Sequence, residues 1–359
     1  MRILHILNDV TNRGNGIVNA AVDIAIEQAR QGHTVAIVSA GGEYEKLLRS
    51  SHVTHIQLDQ SRTTENLPGA VFGFRRVVHG FSPDVVHAHM RTGLVLAYMW
   101  RWLLGYKLVS HVHNVHERES KLMGLAQRVV VVSESVGETM QRYGIPREKI
   151  RVVLNRILGS PRLTPLSEVE PAQLQHPAIV TVCGLYVRKG VAELITAFSA
   201  MAAEFPAAHL YIVGDGPDAA AFHAQAAAAF YAGRIHLEGF QKNAQAYLRA
   251  ADVFVLASRR ESFALVLIEA RNAGCAMIAT AVDGNPQALD YGRAGLLVPA
   301  ENPAALADAL RAMLSDDDAR RTWGQRAQQG MEAFTIPHMV AELQDVYDEL
   351  CGTTTAPAQ

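Results

Sequence analysis

With 359 residues and 49% apolar content, the chain is too long for one ordinary core and carries enough apolar material for two, so it reads as two globular domains. A net charge of −2 with well-mixed signs excludes a general electrostatic footprint for nucleic acid. The cysteines, Cys183, Cys275 and Cys351, are far apart and lack C-x-x-C spacing, which excludes a disulfide framework and a zinc ribbon and suits a reducing cytoplasm.

The opening MRILHILNDV lacks the apolar core and cleavage site of a secretory signal and predicts a buried strand. Strand-length runs at 3–7 and 34–38 flank a helical pattern at 18–31 that Gly32 stops, which is a βαβ unit. Further runs at 55–58, 85–89, 107–113, 129–133 and 150–154 predict a parallel α/β domain over 1–160. The most apolar window, 93–105, is broken by Arg101 and falls short of the roughly 20 apolar residues that span a bilayer. Any membrane contact is therefore peripheral. Trp100, Arg101, Trp102, Tyr106 and Lys107 mix aromatics with cations, which fits either an interfacial segment or a core helix with a basic edge.

Residues 159–177, with four prolines and no sustained period, predict a linker or long loop. Strands at 179–183, 209–213, 235–237, 253–257 and 277–280 then predict a second doubly wound domain over 175–336. The alanine-rich tract 219–230 suits one amphipathic helix. Val340, Leu343, Val346, Tyr347 and Leu350 mark a terminal helix over 337–351 that rejoins the first domain, and 352–359 read as disordered.

Three loops at strand C-terminal ends carry polar residues. In the stretch 12–16, Gly14 and Gly16 lead into a helix whose free N–H groups suit an anion, or form a tight turn only. In 184–190, Arg188 and Lys189 suit a diphosphate, or form a solvated basic turn. In 261–273, Glu261 sits in the loop entering an apolar helix and Glu269 lies two turns along, roughly 12 Å further by helix rise. At that separation the two carboxylates cannot share a proton, but they can accept hydrogen bonds from the two ends of an elongated ligand such as a sugar nucleotide. Among the fifteen histidines, alternation is read as setting His111 and His113 on opposite faces of a strand. No Cys or Asp cluster completes a zinc set, so no metal site is expected. His87 and His89 read as structural or cleft-lining.

The E-x7-E spacing of Glu261 and Glu269 inside SRRESFALVLIEARNAG closely resembles the hallmark of the retaining GT-B glycosyltransferases of family four, the glycosyl transferases group 1. DVVHAH at 84–89, VVSES at 131–135, Lys189-Gly190, GDGP at 214–217, ADVFV at 251–255 and GLLV at 295–298 agree in order. The resemblance implies an α/β fold of two doubly wound, Rossmann-like domains facing a central cleft, with the acceptor on the first and a nucleotide-sugar donor on the second. It implies that Glu261 contacts the donor sugar, that Glu269 binds ribose hydroxyls, and that the segment Ser262, Phe263, Ala264, Leu265 and Val266 holds sugar and phosphates through its amides. His113 matches a histidine beside the donor sugar, with His111 or His116 as alternatives of register. Lys189 matches the family's phosphate-binding lysine, while Leu185 stands where its arginine is usual and Arg188 is the substitute. Gly14, Gly16, Gly184, Gly214, Gly216 and Phe240 complete the expected donor contacts. Two motifs depart from the family pattern: Asn155-Arg156-Ile157-Leu158 replaces N-G-V-D, and Asp283-Gly284-Asn285-Pro286-Gln287 replaces G-G-x-P-E.

The implied activity is transfer, with retention, from a UDP- or GDP-sugar to a glycan or lipid-linked acceptor in bacterial cell-surface polysaccharide or glycoconjugate synthesis. No cofactor, divalent metal or nucleic acid is expected, and the setting is the cytoplasm or the inner face of its membrane. A sugar-nucleotide epimerase of the same shape and a degenerate, non-catalytic nucleotide-sugar-binding subunit are the rival readings.

Overall fold

The computed structural model describes residues 1–12, 14–61, 63, 66–115 and 118–352. Arg13 of the first glycine loop, His116 and the tail 353–359 lie outside the described residues. The chain forms two compact units, Met1–Leu163 with Phe334–Gln359, and Thr164–Ala333.

The first unit is built on seven strands: β1 (Arg2–Ile6), β2 (Thr34–Ser39), β3 (Thr54–Gln57), β4 (Val85–Ala88), β5 (Lys107–Val112), β6 (Arg128–Val131) and β7 (Ile150–Val152). They pair in parallel in the order β3-β2-β1-β4-β5-β6-β7. Helices on both faces bury the central strands, which explains their near-continuous Val, Ile and Leu content. The order turns back between β1 and β4, and a crevice opens there beyond the strand C-termini.

The second unit carries β8 (Ala178–Val182), β9 (His209–Val213), β10 (Ile235–Gly239), β11 (Val253–Leu256), β12 (Ala276–Thr280) and β13 (Leu296–Val298). They run parallel in the order β10-β9-β8-β11-β12-β13, with the reversal between β8 and β11. Periodicity missed β13 because three residues are too few to show a period. The alanine tract forms a helix, Ala219–Ala228, that buries only Phe222 and Ala226 and stops before the exposed Phe230, so it is shorter and less sided than the sequence suggested. The window 93–105 forms the helix Arg91–Leu104, which buries Gly93, Leu94, Leu96 and Ala97 but exposes Met99, Trp102 and Leu103. Among the described residues, no helix is long and apolar enough to cross a membrane.

The C-terminal helix, Ile336–Cys351, packs in the first unit, laying Ile336, Met339, Val340, Leu343, Val346 and Tyr347 against a core that includes Ile3, Val85, Val109 and Val130. Arg156, in the departed N-G-V-D motif, explains itself here. It is buried and forks onto Glu342 of this helix at 2.8 and 2.9 Å. The start of the 159–177 stretch is likewise tied down: Asp23, buried on the helix Gly16–Arg30, accepts from Ser160 Oγ at 2.8 Å and from the Arg162 guanidinium at 2.7 and 2.8 Å. Asp23→Ala strands a buried guanidinium without its partner and should cost about 3 kcal/mol. Urea unfolding followed by the fluorescence of Trp100 and Trp102 in a Trp323→Phe background checks it, with a loss under about 1 kcal/mol counting against a structural role for the pair.

Candidate functional site

At the reversal in the first sheet, five histidines converge from three strands: His5 on β1, His87 and His89 on and just past β4, His111 and His113 on and just past β5. All five are buried. His111 and His113 share one face, contrary to the sequence reading. Their rings stack at 4.1 Å with 22° between planes, because residues two apart on a strand point the same way. His87 and His89 stack at 4.5 Å for the same reason, and His87 faces His111 at 5.3 Å across the pair of strands. Two triads, His5 with His87 and His89, and His89 with His111 and His113, bring ligand nitrogens within 4.8 Å of one another. In each triad, however, two of these nitrogens are already paired with one another, His5 Nδ1 with His89 Nε2 at 3.0 Å and His89 Nδ1 with His113 Nε2 at 3.1 Å, and a tetrahedral ion would have to displace those bonds. The packing suits a hydrogen-bonded stack of neutral imidazoles.

Burial enforces that neutrality. It lowers His5 to about 4 and His113 to about 3. His87, His89 and His111 are driven well below the usual histidine range, by burial first and then by repulsion from the neighbouring imidazoles. His89 and His113 line a cavity of about 240 Å³ together with Asn8, Met90, Arg91 and Ser120. Beside it, Gly16 opens the helix Gly16–Arg30, and Asn15 caps that helix by accepting from Ile17 N at 3.0 Å. Gly14 adopts a left-handed φ of 71° in open space. One of the helix-start amides that could meet an anion is therefore already engaged by Asn15.

At the reversal in the second sheet, the loops after β8 and β11 touch. Gly190 has φ 68°, and a Cβ on it would lie 1.9 Å from the Ala257 carbonyl oxygen, so only glycine permits the approach. This contact brings Lys189 to Glu261, and the ammonium bonds the carboxylate directly. Asp283 Oδ2 accepts the Glu261 N–H at 2.7 Å, and Gly284 N donates to the Glu261 carbonyl at 3.1 Å. Sequence reasoning named Asp283 only as part of a departed motif and gave it no place in the site. The turn signal of its Asp-Gly pair was available, and φ at Asp283 is indeed 45°. Leu185 is buried in the core of the unit, while the guanidinium of Arg188 lies over the Tyr186 ring at 5.3 Å and its carbonyl accepts from Arg259 N.

Gly184 follows β8, and Gly214 and Gly216 follow β9. A Cβ on either of the latter would strike the Cys183 or the Leu185 carbonyl, at 1.9 and 2.5 Å. Ser262, Phe263 and Ala264 are buried, and the helix Leu265–Ala273 begins without a side-chain cap, leaving the amides at Leu265 and Val266 in its first turn. Glu269 is the fifth helical residue, about 6 Å from the helix start by rise, because the first half of the E-x7-E step is loop and not helix. Phe240 stands exposed just past β10. Burial pushes the Cys183 thiol up to about 11, so it is no nucleophile.

The histidine stack predicts an acid-sensitive first unit. Each lowered histidine is neutral when folded but takes up a proton near pH 6.5 once unfolded, so stability is complete above that pH and falls as pH drops from 6.5 toward 4. The slope is on the order of 1.4 kcal/mol per pH unit for each histidine. Unfolding midpoints between pH 8 and 5 should drop steeply below 6.5, and His111→Leu should flatten that drop by about one proton. An unchanged slope would show that His111 is not held neutral.

Two family models divide the chain: residues 166–330 match Glycosyl transferases group 1 and residues 14–157 match Glycosyltransferase Family 4. The chain is 24% identical to the N-acetyl-alpha-D-glucosaminyl L-malate synthase of Bacillus anthracis, over 93% of each protein. It is 26% identical to the lipopolysaccharide core biosynthesis glycosyltransferase LpsE of Rhizobium meliloti, over 94% of each. The solved structure of Anabaena Alr3699/HepE in complex with UDP superposes with a TM-score of 0.82 at 19% identity, over 97% of this chain and all of the other. The chain belongs to the group 1 glycosyltransferases of family four, and its two Rossmann-like units are those of the GT-B fold.

Proposed function

We propose that the protein transfers a sugar, with retention of configuration, from a UDP- or GDP-sugar to a glycan or lipid-linked acceptor in bacterial cell-surface polysaccharide or glycoconjugate synthesis. The observation that carries this reading is the Lys189–Glu261 pair, seated at the strand reversal of the second sheet immediately ahead of an uncapped helix that bears Glu269. Glu261 supplies acceptors for sugar hydroxyls, and the helix amides with Lys189 supply positive charge for a diphosphate. Glu269 supplies acceptors for the ribose. Arg188 adds a second cation and Phe240 an exposed ring. The biosynthetic relatives and the UDP held by the Anabaena neighbour support the donor class. On this reading His113 meets the donor sugar, the departing phosphate assists removal of the acceptor proton, and no divalent metal takes part.

Calorimetry and transfer assays with UDP- and GDP-sugars test this. Glu269→Ala should weaken donor affinity about 10- to 100-fold, as loss of hydrogen bonds to a charged acceptor does, and wild-type transfer should persist in chelator. Unchanged donor affinity in the folded variant removes Glu269 from the ribose. Activity lost in chelator and restored by magnesium overturns the metal-independent reading, and epimerised donor without acceptor points to the epimerase.

Peripheral membrane contact is proposed on a separate observation. On the first unit Phe72, Met99, Trp102 and Leu103 are exposed, with Arg75 over the Trp100 ring at 5.6 Å and Arg101 over Trp102 at 4.3 Å. Aromatics paired with cations suit an anionic lipid surface. The protein should float with vesicles containing anionic lipid and not with neutral ones, and Trp102→Ser with Leu103→Ser should abolish flotation. Flotation that is absent, or indifferent to these changes, would refute the contact.

A further inference from the structure

The histidine stack contains a continuous, directional chain of hydrogen bonds. Gln28 Oε1 meets His5 Nε2 at 2.7 Å, His5 Nδ1 meets His89 Nε2 at 3.0 Å, and His89 Nδ1 meets His113 Nε2 at 3.1 Å. At its other atom Gln28 is held by the C-terminal helix. Its Nε2 donates to the Tyr347 hydroxyl at 3.2 Å, and that hydroxyl lies 2.6 Å from His87 Nδ1. All these groups are buried, and Tyr347 is raised above the usual phenol range by burial, so it stays protonated. His113 Nδ1 ends the chain as a buried nitrogen with no partner among the described residues, on a side chain that lines the cavity beside Asn8 and Arg91.

A neutral imidazole carries one N–H and one lone pair, so each link in such a chain dictates the next. Gln28 Oε1 can only accept, so His5 must carry its proton on Nε2 and offer a lone pair at Nδ1. That lone pair requires a proton on His89 Nε2, which leaves His89 Nδ1 bare and requires a proton on His113 Nε2. His113 Nδ1 is then a lone pair. Any single imidazole in the other tautomer would set two N–H groups, or two lone pairs, face to face at about 3 Å inside the core, where neither finds water.

We infer that Gln28 is a positioning residue that fixes His113 as a hydrogen-bond acceptor at Nδ1, acting through His5 and His89. The ligand group such an atom recognises is a hydrogen-bond donor, such as a hydroxyl. That this hydroxyl belongs to a sugar rests on the function proposed above, whereas the tautomer of His113 does not. Gln28 does not line the cavity; it sets the tautomer that His113 brings to it, and Tyr347 accepts from the other atom of the Gln28 amide.

The test reads the tautomer directly, from ring nitrogen–proton correlations in the full chain labelled with 15N-histidine, with His113 assigned by its loss in His113→Gln. Wild-type protein should show the His113 proton on Nε2 and a bare Nδ1. Gln28→Met and His5→Phe, each cutting the chain at a different link, should both move His113 to a mixture of tautomers, and combining them should add nothing. A wild-type His113 protonated on Nδ1 overturns the inference without any variant. So does an unaltered Nε2 tautomer in either variant when its circular dichroism matches wild type. In transfer assays Gln28→Met should lower kcat about tenfold with the donor KM unchanged, the cost of one hydrogen bond. A tautomer change without a turnover change supports the relay and removes His113 from the reaction; a turnover loss without a tautomer change overturns the relay.

Discussion

A parallel strand buried on both faces must spend its backbone hydrogen bonds within the sheet, and its polar side chains have room only where the strands end. Each sheet of this chain reverses its strand order once, between β1 and β4 and between β8 and β11, so the connections leaving those neighbouring strands go to opposite sides and a crevice remains. The His5–His89–His113 chain lies at the first reversal and the Lys189–Glu261 pair at the second. The chemistry is concentrated where topology leaves space for it, and the rest of each unit holds these loops in register.

The two sites are held in different ways. In the second unit, loops are brought together by close backbone approach, with Gly190 against Ala257 and Gly216 against Leu185, and the charged pair is a consequence of that contact. In the first unit, five buried imidazoles carry more polar atoms than the surrounding apolar strands can satisfy, and part of the solution comes from distant sequence. Tyr347 of the C-terminal helix reaches His87 and Gln28, and Arg156 with Glu342 fastens that helix in place. A polar core in this arrangement depends on the last helix as much as on the sheet.

These differences explain what could be read from the sequence. All strands but the three-residue β13 were legible because apolar runs are local, and so was the E-x7-E element because its residues are close in sequence. The pairing of Lys189 with Glu261 was not, since 72 residues separate them. The face shared by His111 and His113 was misjudged by an error of parity, although the two-residue repeat contained the answer. Arg156 looked like a lost motif and is a structural ion pair, and nothing local announces that its partner lies 186 residues on. The helix start at Leu265 shortened the expected reach to Glu269 because Ser262, Phe263 and Ala264 are buried as loop, although Phe263 and Ala264 are as apolar as the helix that follows.

The Lys189–Glu261 contact also constrains how charge is managed. The Asp283 carboxylate accepts the Glu261 backbone N–H while the Glu261 carboxylate takes the Lys189 ammonium, so two carboxylates lie close to this loop. An incoming diphosphate would be repelled unless positive potential came from elsewhere. On the proposed reading the first-turn amides of the helix Leu265–Ala273 would supply it as fixed dipoles that need no rearrangement and involve no titratable proton. On the proposed reading Lys189 need not leave Glu261 to serve a phosphate: a carboxylate bound to the ammonium holds it in one rotamer, so the lysine would meet such a ligand with much of its conformational entropy already lost. The same restraint holds the Glu261 carboxylate in place and keeps it from turning into solvent. A salt bridge that contributes little to stability on its own can in this way orient both of its members.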